Sequence, residues 1–169
     1  MSMTNNQSLD AEAIYSALRA KVAAGLVPGR AVHLVGVHSG GAWIAERLHR
    51  DLALSTSLGT LSSAFHRDDY GRRGLPAEMK STGLPFEVAG ADIIVVDDIL
   101  FTGRTVRAVV NELFDYGRPA RVELAVLIDR GGRELPIEAR YCGAVEELGR
   151  DHDFVLRCAD DGTFSLSRT

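Results

Sequence analysis

The sequence predicts an α/β fold in which a mainly parallel central sheet is flanked by helices. Two mostly apolar runs, Ala31–Val37 and Val122–Asp129, together with four β-branched residues at Ile93–Val96, read as strands of a buried parallel sheet. Between them lie stretches whose apolar residues recur at helical spacing. Strand and helix patterns alternate along the chain, with no internal repeat and no low-complexity linker, as expected of one α/β unit. We expect residues 9–169 to form a single domain behind a polar, disordered amino terminus over 1–8, MSMTNNQS.

The first helix follows from Ile14, Leu18, Val22 and Leu26, with Asp10 as its N-cap and Gly25 near its end. The strand Ala31–Val37 comes next, then a loop His-Ser-Gly-Gly and a helix carrying Ile44, Leu48 and Leu52. A strand-like stretch precedes Phe65. Residues 66–85 mix basic residues, glycines and prolines with little apolar periodicity, and read as a long mobile loop or β-hairpin. After the strand at Ile93, a helix is marked by Val106, Val109, Val110, Leu113 and Phe114 and stopped by Gly117 and Pro119. The carboxyl end, FVLRCADDGTFSLSRT, reads as two short strands about Asp161-Gly162.

Composition bounds the function. A chain of 169 residues with 46% apolar and 25% charged residues buries a real core and is ordinary for a globular domain. There is no signal-peptide pattern and no apolar run approaching about eighteen residues, so cytoplasmic residence without membrane association is the expectation. Cys142 and Cys158 form no C-x-x-C pattern and read as reduced structural thiols. His33 reads as a strand residue and His49 as a helix-surface residue; neither is assigned a catalytic role.

Chemistry concentrates in IIVVDDILFTGRT, Ile93–Thr105. A buried strand delivers Asp97 and Asp98 at its carboxyl end, where open α/β sheets bind ligands. Four residues on, Thr102-Gly103-Arg104-Thr105 opens the next helix, whose first N–H groups face whatever anion occupies the loop. The hydroxyls of Thr102 and Thr105 add donors. A phosphate held there leaves an attached sugar beside the carboxylates, which accept hydrogen bonds from its hydroxyls or hold a Mg²⁺ that does so. Either piece alone also fits a capped or solvated turn; the two in this order read as a ribose-phosphate site. It is not a P-loop, because the G-x-x-x-x-G-K-[ST] pattern is absent.

This segment resembles the phosphoribosyl diphosphate (PRPP) motif of type I phosphoribosyltransferases, and LFDYGRPARVELAVLIDRGGRELPI closely resembles the PyrR family, pyrimidine-operon regulators that also act as uracil phosphoribosyltransferases. The resemblance runs from about Val32 to Gly143, with FHRDDY at Phe65–Tyr70 included. It implies the type I phosphoribosyltransferase fold, with a small hood region and a flexible loop. It also implies a reaction of uracil with PRPP to give UMP and pyrophosphate, with Mg²⁺ accompanying PRPP. Asp97 and Asp98 would bind the ribose and touch the metal indirectly, and Phe101, Thr102, Gly103, Arg104 and Thr105 would hold the 5′-phosphate. Arg67 with Asp68, Asp69 and Lys80 would belong to a loop that closes over PRPP and excludes water from the developing positive charge at C1′. His38, Ser39, Gly40 and Gly41 would form the pyrophosphate loop. Relatives known as regulators tend to carry Thr-Arg-Gly in place of Ser39-Gly40-Gly41, so a charge-assisted contact is missing here, in part replaceable by His38. Arg130, Arg133 and Glu134 would lie at the base-covering hood.

Purine-using relatives carry an aspartate at the position of Phe101, which here cannot exchange a proton; that favours a pyrimidine. Two further classes remain. One is a uridine-nucleotide sensor that binds an mRNA leader. The other is a catalytically weak nucleotide-binding protein, which the missing arginine would suit. RNA binding needs positive surface, whereas 19 Lys and Arg face 23 Asp and Glu for a net charge of −4. Positions where RNA-regulating members tend to be basic hold Glu138 and Ala144, and Arg133 alone keeps the charge. The enzyme reading is therefore preferred, with a homo-oligomer, dimer or tetramer, as the expected assembly.

Overall fold

A computed structural model describes residues 8–62 and 82–169. The chain order is α1 (Ala11–Gly25), β1 (Val32–His38), α2 (Gly40–Asp51), β2 (Gly59–Ser62), β3 (Asp92–Leu100), α3 (Arg104–Tyr116), β4 (Arg121–Asp129), β5 (Tyr141–Val145), β6 (Phe154–Cys158) and β7 (Phe164–Arg168). Helix α1 begins where Asp10 Oδ1 accepts the N–H of Ala13 at 3.0 Å, and it buries Ala11, Tyr15, Leu18 and Val22, spaced three and four apart along one face.

Five parallel strands form the main sheet in the order β2-β1-β3-β4-β5. Residues Ile93–Asp97 of β3 and Leu124–Ile128 of β4 are buried without interruption, because helices or loops cover both sheet faces. On one side Leu18, Val22, Leu34, Ile44, Leu48 and Ile94 share a core with the β6–β7 hairpin. On the other, Val35, Val95, Val109, Leu113 and Val126 form a second core beneath α3. Each such aliphatic side chain contributes roughly 1.5–3 kcal/mol by leaving water.

The chain runs outward in opposite directions from β1 and β3, so the order reverses between them; open α/β sheets bind ligands at such a switch point. Pairing of β1 with β3 ends at Gly36↔Val96. Beyond it β1 stays with β2 to His38↔Ser62 and β3 stays with β4 to Leu100↔Asp129, and a cleft opens between them. The strand expected to finish at the two aspartates thus continues to Leu100, because β4 goes on supplying ladder partners after β1 has left.

Two further differences from expectation have physical causes. Strand β5, Tyr-Cys-Gly-Ala-Val, was not anticipated: it is short, holds a glycine and no alternation, and exists because β4 offers a partner edge. Phe114, grouped with the buried face of α3, is 51% exposed, since that face narrows to Val106, Val109 and Leu113. The hairpin about Asp161-Gly162 forms as expected and is tied to both amino-terminal helices. Arg47 of α2 donates to both oxygens of Glu12 in α1 at 2.8 and 2.7 Å. Glu12 Oε1 also accepts the Phe164 N–H at 2.7 Å, and the Arg47 guanidinium lies 4.1 Å over the Tyr15 ring. The disordered stretch expected over 1–8 lies almost wholly outside the described residues. So do Phe65, Arg67, Asp68, Asp69 and Lys80, together with most of the loop read over 66–85.

Candidate active site

A cleft of about 860 Å³ occupies the switch point. Its floor is Asp97, Asp98 and Ile99. It is also lined by His38, Ser39, Gly40 and Trp43, by Phe101, Thr102, Arg104 and Thr105, by Arg130, and by Arg150–Leu156 with Thr169. The sequence motifs therefore converge in space.

The two helices that begin at the cleft differ from the one that does not. Helix α1 is capped by Asp10, whereas α2 and α3 start at Ser39 and Gly103 with no side-chain cap and no acidic residue in the first turn. First-turn N–H groups left without an intrahelical acceptor form a preorganised anion site. Gly103 takes φ +91°, and a Cβ there would lie 3.0 Å from Ile137, so the turn into α3 needs glycine both conformationally and sterically. Thr102 Oγ1 accepts the Arg104 N–H at 3.2 Å. The Thr102 carbonyl accepts the N–H groups of Glu134 at 2.9 Å and Leu135 at 3.1 Å, fixing this loop to the β4–β5 connection.

Asp97 is 7% exposed. Its Oδ1 accepts the Asp98 N–H at 2.9 Å, and Asp98 Oδ1 accepts the Ile99 N–H at 2.8 Å, so both carboxylates are aimed by the backbone. A Cβ on Gly40 would strike the Asp98 carboxylate, and one on Gly41 would strike the main chain of Val96 and Asp97. The Gly-Gly pair lets the start of α2 pack directly against β3. Gly41 lies beneath the cleft lining while His38, Ser39 and Gly40 face it.

The three residues read as hood-side separate in role. Arg130 lines the cleft, is only 4% exposed, and places its guanidinium 4.0 Å over the Phe101 ring. Its Nη1 donates to Asp153 Oδ1 at 3.0 Å, and its Nη2 to the carbonyls of Gly149 at 3.1 Å and His152 at 2.8 Å. Arg133 and Glu134 stand behind the wall. Arg133 donates to the Phe101 carbonyl at 2.7 Å, to the Ile137 carbonyl at 2.8 Å and to the Asp129 carboxylate. Glu134 accepts from Arg104 at 3.0 Å and pairs with Arg150 at 3.6 Å.

Sequence reasoning missed Trp43 and the whole 150–156 wall. Its available signal was the polar run Arg-Asp-His-Asp set directly before an apolar strand. His33 lies in β1 with Nδ1 2.9 Å from the Ser57 carbonyl, and the half-buried His49 meets the Thr56 carbonyl; both hold the α2–β2 connection, away from the cleft. Cys142 and Cys158 are free thiols, and burial pushes both up from the ordinary cysteine range, keeping them protonated. No cluster of three or more metal-ligating side chains occurs among the described residues, nor any helix long and apolar enough to cross a membrane.

The phosphoribosyl transferase domain profile matches residues 7–157. The bifunctional protein PyrR of Ralstonia nicotianae is 50% identical over 159 residues, spanning 93% of this chain and 91% of that protein. That of Nitrosococcus oceani is 48% identical over 135 residues, 79% and 76% of the two chains. This chain belongs to the PyrR family of phosphoribosyltransferases. A solved hypoxanthine-guanine phosphoribosyltransferase from Bacillus anthracis superposes with a TM-score of 0.68 at 19% identity over the full length of both chains. The enzyme from Leishmania tarentolae in complex with GMP gives 0.64 at 16% identity, over 86% of this chain and 83% of that one. At these identities the likeness establishes the type I fold, and the family match establishes a phosphoribosyltransferase.

Proposed function

We propose that this PyrR-family enzyme transfers the phosphoribosyl group of PRPP to uracil, releasing UMP and pyrophosphate. The observation that carries the reading is the cleft itself: two uncapped helix N-termini flank a backbone-aimed pair of aspartates at the switch point of the sheet.

In this reading Thr102, Gly103, Arg104 and Thr105 hold the 5′-phosphate, through the first N–H groups of α3 and the threonine hydroxyls, and the Phe101 ring that precedes them is left to the base. Asp97 and Asp98 accept hydrogen bonds from the ribose hydroxyls. His38, Ser39 and Gly40 receive the pyrophosphate at the start of α2, with Gly41 behind them letting the helix start pack on β3. The bond from C1′ to the pyrophosphate oxygen breaks, a bond from C1′ to a uracil ring nitrogen forms, and that nitrogen loses its proton. Two oxygen-donor carboxylates, with no cluster of three or more metal-ligating side chains among the described residues, suit a Mg²⁺ that arrives with PRPP. Bound there, the ion would neutralise pyrophosphate charge. Phe101 offers an aromatic surface and no proton-exchanging group, which suits a pyrimidine over hypoxanthine or guanine. Arg67, Asp68, Asp69 and Lys80 are proposed for the closing loop on the sequence resemblance.

The test is uracil-dependent pyrophosphate release from PRPP and Mg²⁺, with orotate, hypoxanthine and guanine as competing bases. Turnover with uracil alone is expected. Preference for another base, or UMP binding without turnover, overturns the reading.

The relatives' designation as bifunctional supports a second role, UMP- or UTP-controlled binding of an mRNA leader. It ranks behind catalysis here because Arg133, the one basic residue kept among the three positions, commits its donors to Phe101, Asp129 and Ile137. Residence in the cytoplasm and a homodimer or homotetramer fit either role.

A further inference from the structure

Arg130 is the most buried charged side chain among the described residues. Its ionic partner, Asp153, has a side chain 69% exposed to solvent, and its Nε is buried with no hydrogen-bond acceptor. A buried guanidinium with an unpaired donor is unfavourable, and an apolar residue of similar volume serves packing at least as well. What the guanidinium does uniquely is join two pieces of the cleft that are remote in sequence.

We propose that Arg130 is the positioning residue for the nucleobase: it locks the Phe101 ring, whose uncovered face the base meets, and ties it to the Gly149–Asp153 loop of the same cleft. The inference rests on the uridine-nucleotide reading of this cleft. One face of the Phe101 ring is taken by the guanidinium at 4.0 Å. A ring edge abuts Gly132, where a Cβ would fall 2.9 Å from Cδ2. The Phe101 carbonyl is held by Arg133. Only the remaining face and edge are left to a ligand, and they belong to a ring that cannot swing. The same guanidinium holds the Gly149–Asp153 loop by two carbonyls and a carboxylate, and Asp153 pairs with Thr169 through both main-chain hydrogen bonds, at 3.0 and 2.9 Å, passing the restraint to the end of the chain. Planar bases gain most from aromatic walls that are already immobile, since no side chain must be ordered on binding.

The test compares equilibrium binding of UMP with that of ribose 5-phosphate, which lacks the base, in wild type, Arg130→Met, Phe101→Leu and the double variant, with melting curves alongside. Arg130→Met should weaken UMP about tenfold and leave ribose 5-phosphate within about twofold. The double variant should lose less than the product of the singles, because one residue acts partly through the other. Equal loss for both ligands, no loss for either, or a fully multiplicative double variant overturns the proposal. Should Arg130→Met fail to fold, Asp153→Ala removes one exposed anchor: a smaller loss confined to UMP supports the proposal, and any other pattern sinks it. A wild type that binds UMP no tighter than ribose 5-phosphate also overturns it. A wild type that distinguishes the two ligands yet fails to turn over uracil would refute the catalytic reading and leave Arg130's role standing.

Discussion

At the end proposed for the phosphate, the cleft is shaped mainly by main chain. Two helix starts, a glycine at φ +91° and two carboxylates each hydrogen-bonded to the next residue's N–H make up this region, and every part belongs to β3, α2, α3 or their joints. At its hood end the cleft is walled by a loop that side chains hold in place: Arg130 grips Gly149, His152 and Asp153, and Glu134 bridges Arg104 and Arg150. Most of the first region is set by secondary structure, whereas the second is held by individual side chains. In the proposed function the first region holds the ribose phosphate and the second faces the base.

The largest effect should come from the phosphate end. Asp98→Ala removes a ribose-facing carboxylate while leaving the core intact, and kcat should fall roughly a hundredfold or more with little change in melting temperature; unchanged turnover would remove Asp98 from the reaction. Gly103→Val forces a branched residue into left-handed backbone against Ile137. We expect a loss of about 1–3 kcal/mol of stability by denaturant titration, with KM for PRPP raised more than KM for uracil. The opposite ordering of the two KM effects would contradict the assignment of this turn to the phosphate.

Arg133→Met tests the other end. Losing three hydrogen bonds from a partly buried guanidinium should cost roughly 1–3 kcal/mol, and KM for uracil should rise while KM for PRPP holds. If PRPP binding suffers instead, the two ends are not separable.

The smallest effect concerns acid. The Arg47 guanidinium, hydrogen-bonded to Glu12, holds that carboxyl below its ordinary value of 4.5. A folded-state pKa lower than the unfolded one adds stability above the unfolded value and loses it as pH falls through the folded one. Between pH 7 and pH 3 the melting temperature of wild type should therefore fall more steeply than that of Glu12→Gln, with the divergence beginning below about 4.5; parallel curves would show that the pair is fully screened by solvent.

The same contrast explains what could be read in advance. The phosphate end was legible because its signals are local: apolar strand, paired aspartates, Thr-Gly-Arg-Thr and helix fall within thirteen residues, Ile93–Thr105, and backbone geometry follows from that order. Arg130 was singled out in the sequence but its contacts were not legible, since its partners lie 19 to 23 positions away in a loop without periodicity. Trp43 looked like one more apolar residue of α2. Strand β5 carries no period-2 pattern, because a short strand at the sheet edge is specified by the neighbour that accepts it rather than by its own residues.

The insertion of β3 has a consequence for how the molecule comes into being. Val32 of β1 pairs with Asp92 of β3, sixty positions later, so the inner edge of β1 stays open until a distant segment has been made and threaded beside it. Slow closure of this kind is a property of parallel pairing. The cleft does not exist before that event, and a ligand that fills it binds only chains that have completed it. Metabolite supply then acts as a folding partner: at a hundred times its Kd, such a ligand adds about 2.7 kcal/mol to the completed state, and a cell rich in substrate would hold more of this protein intact than one that is starved.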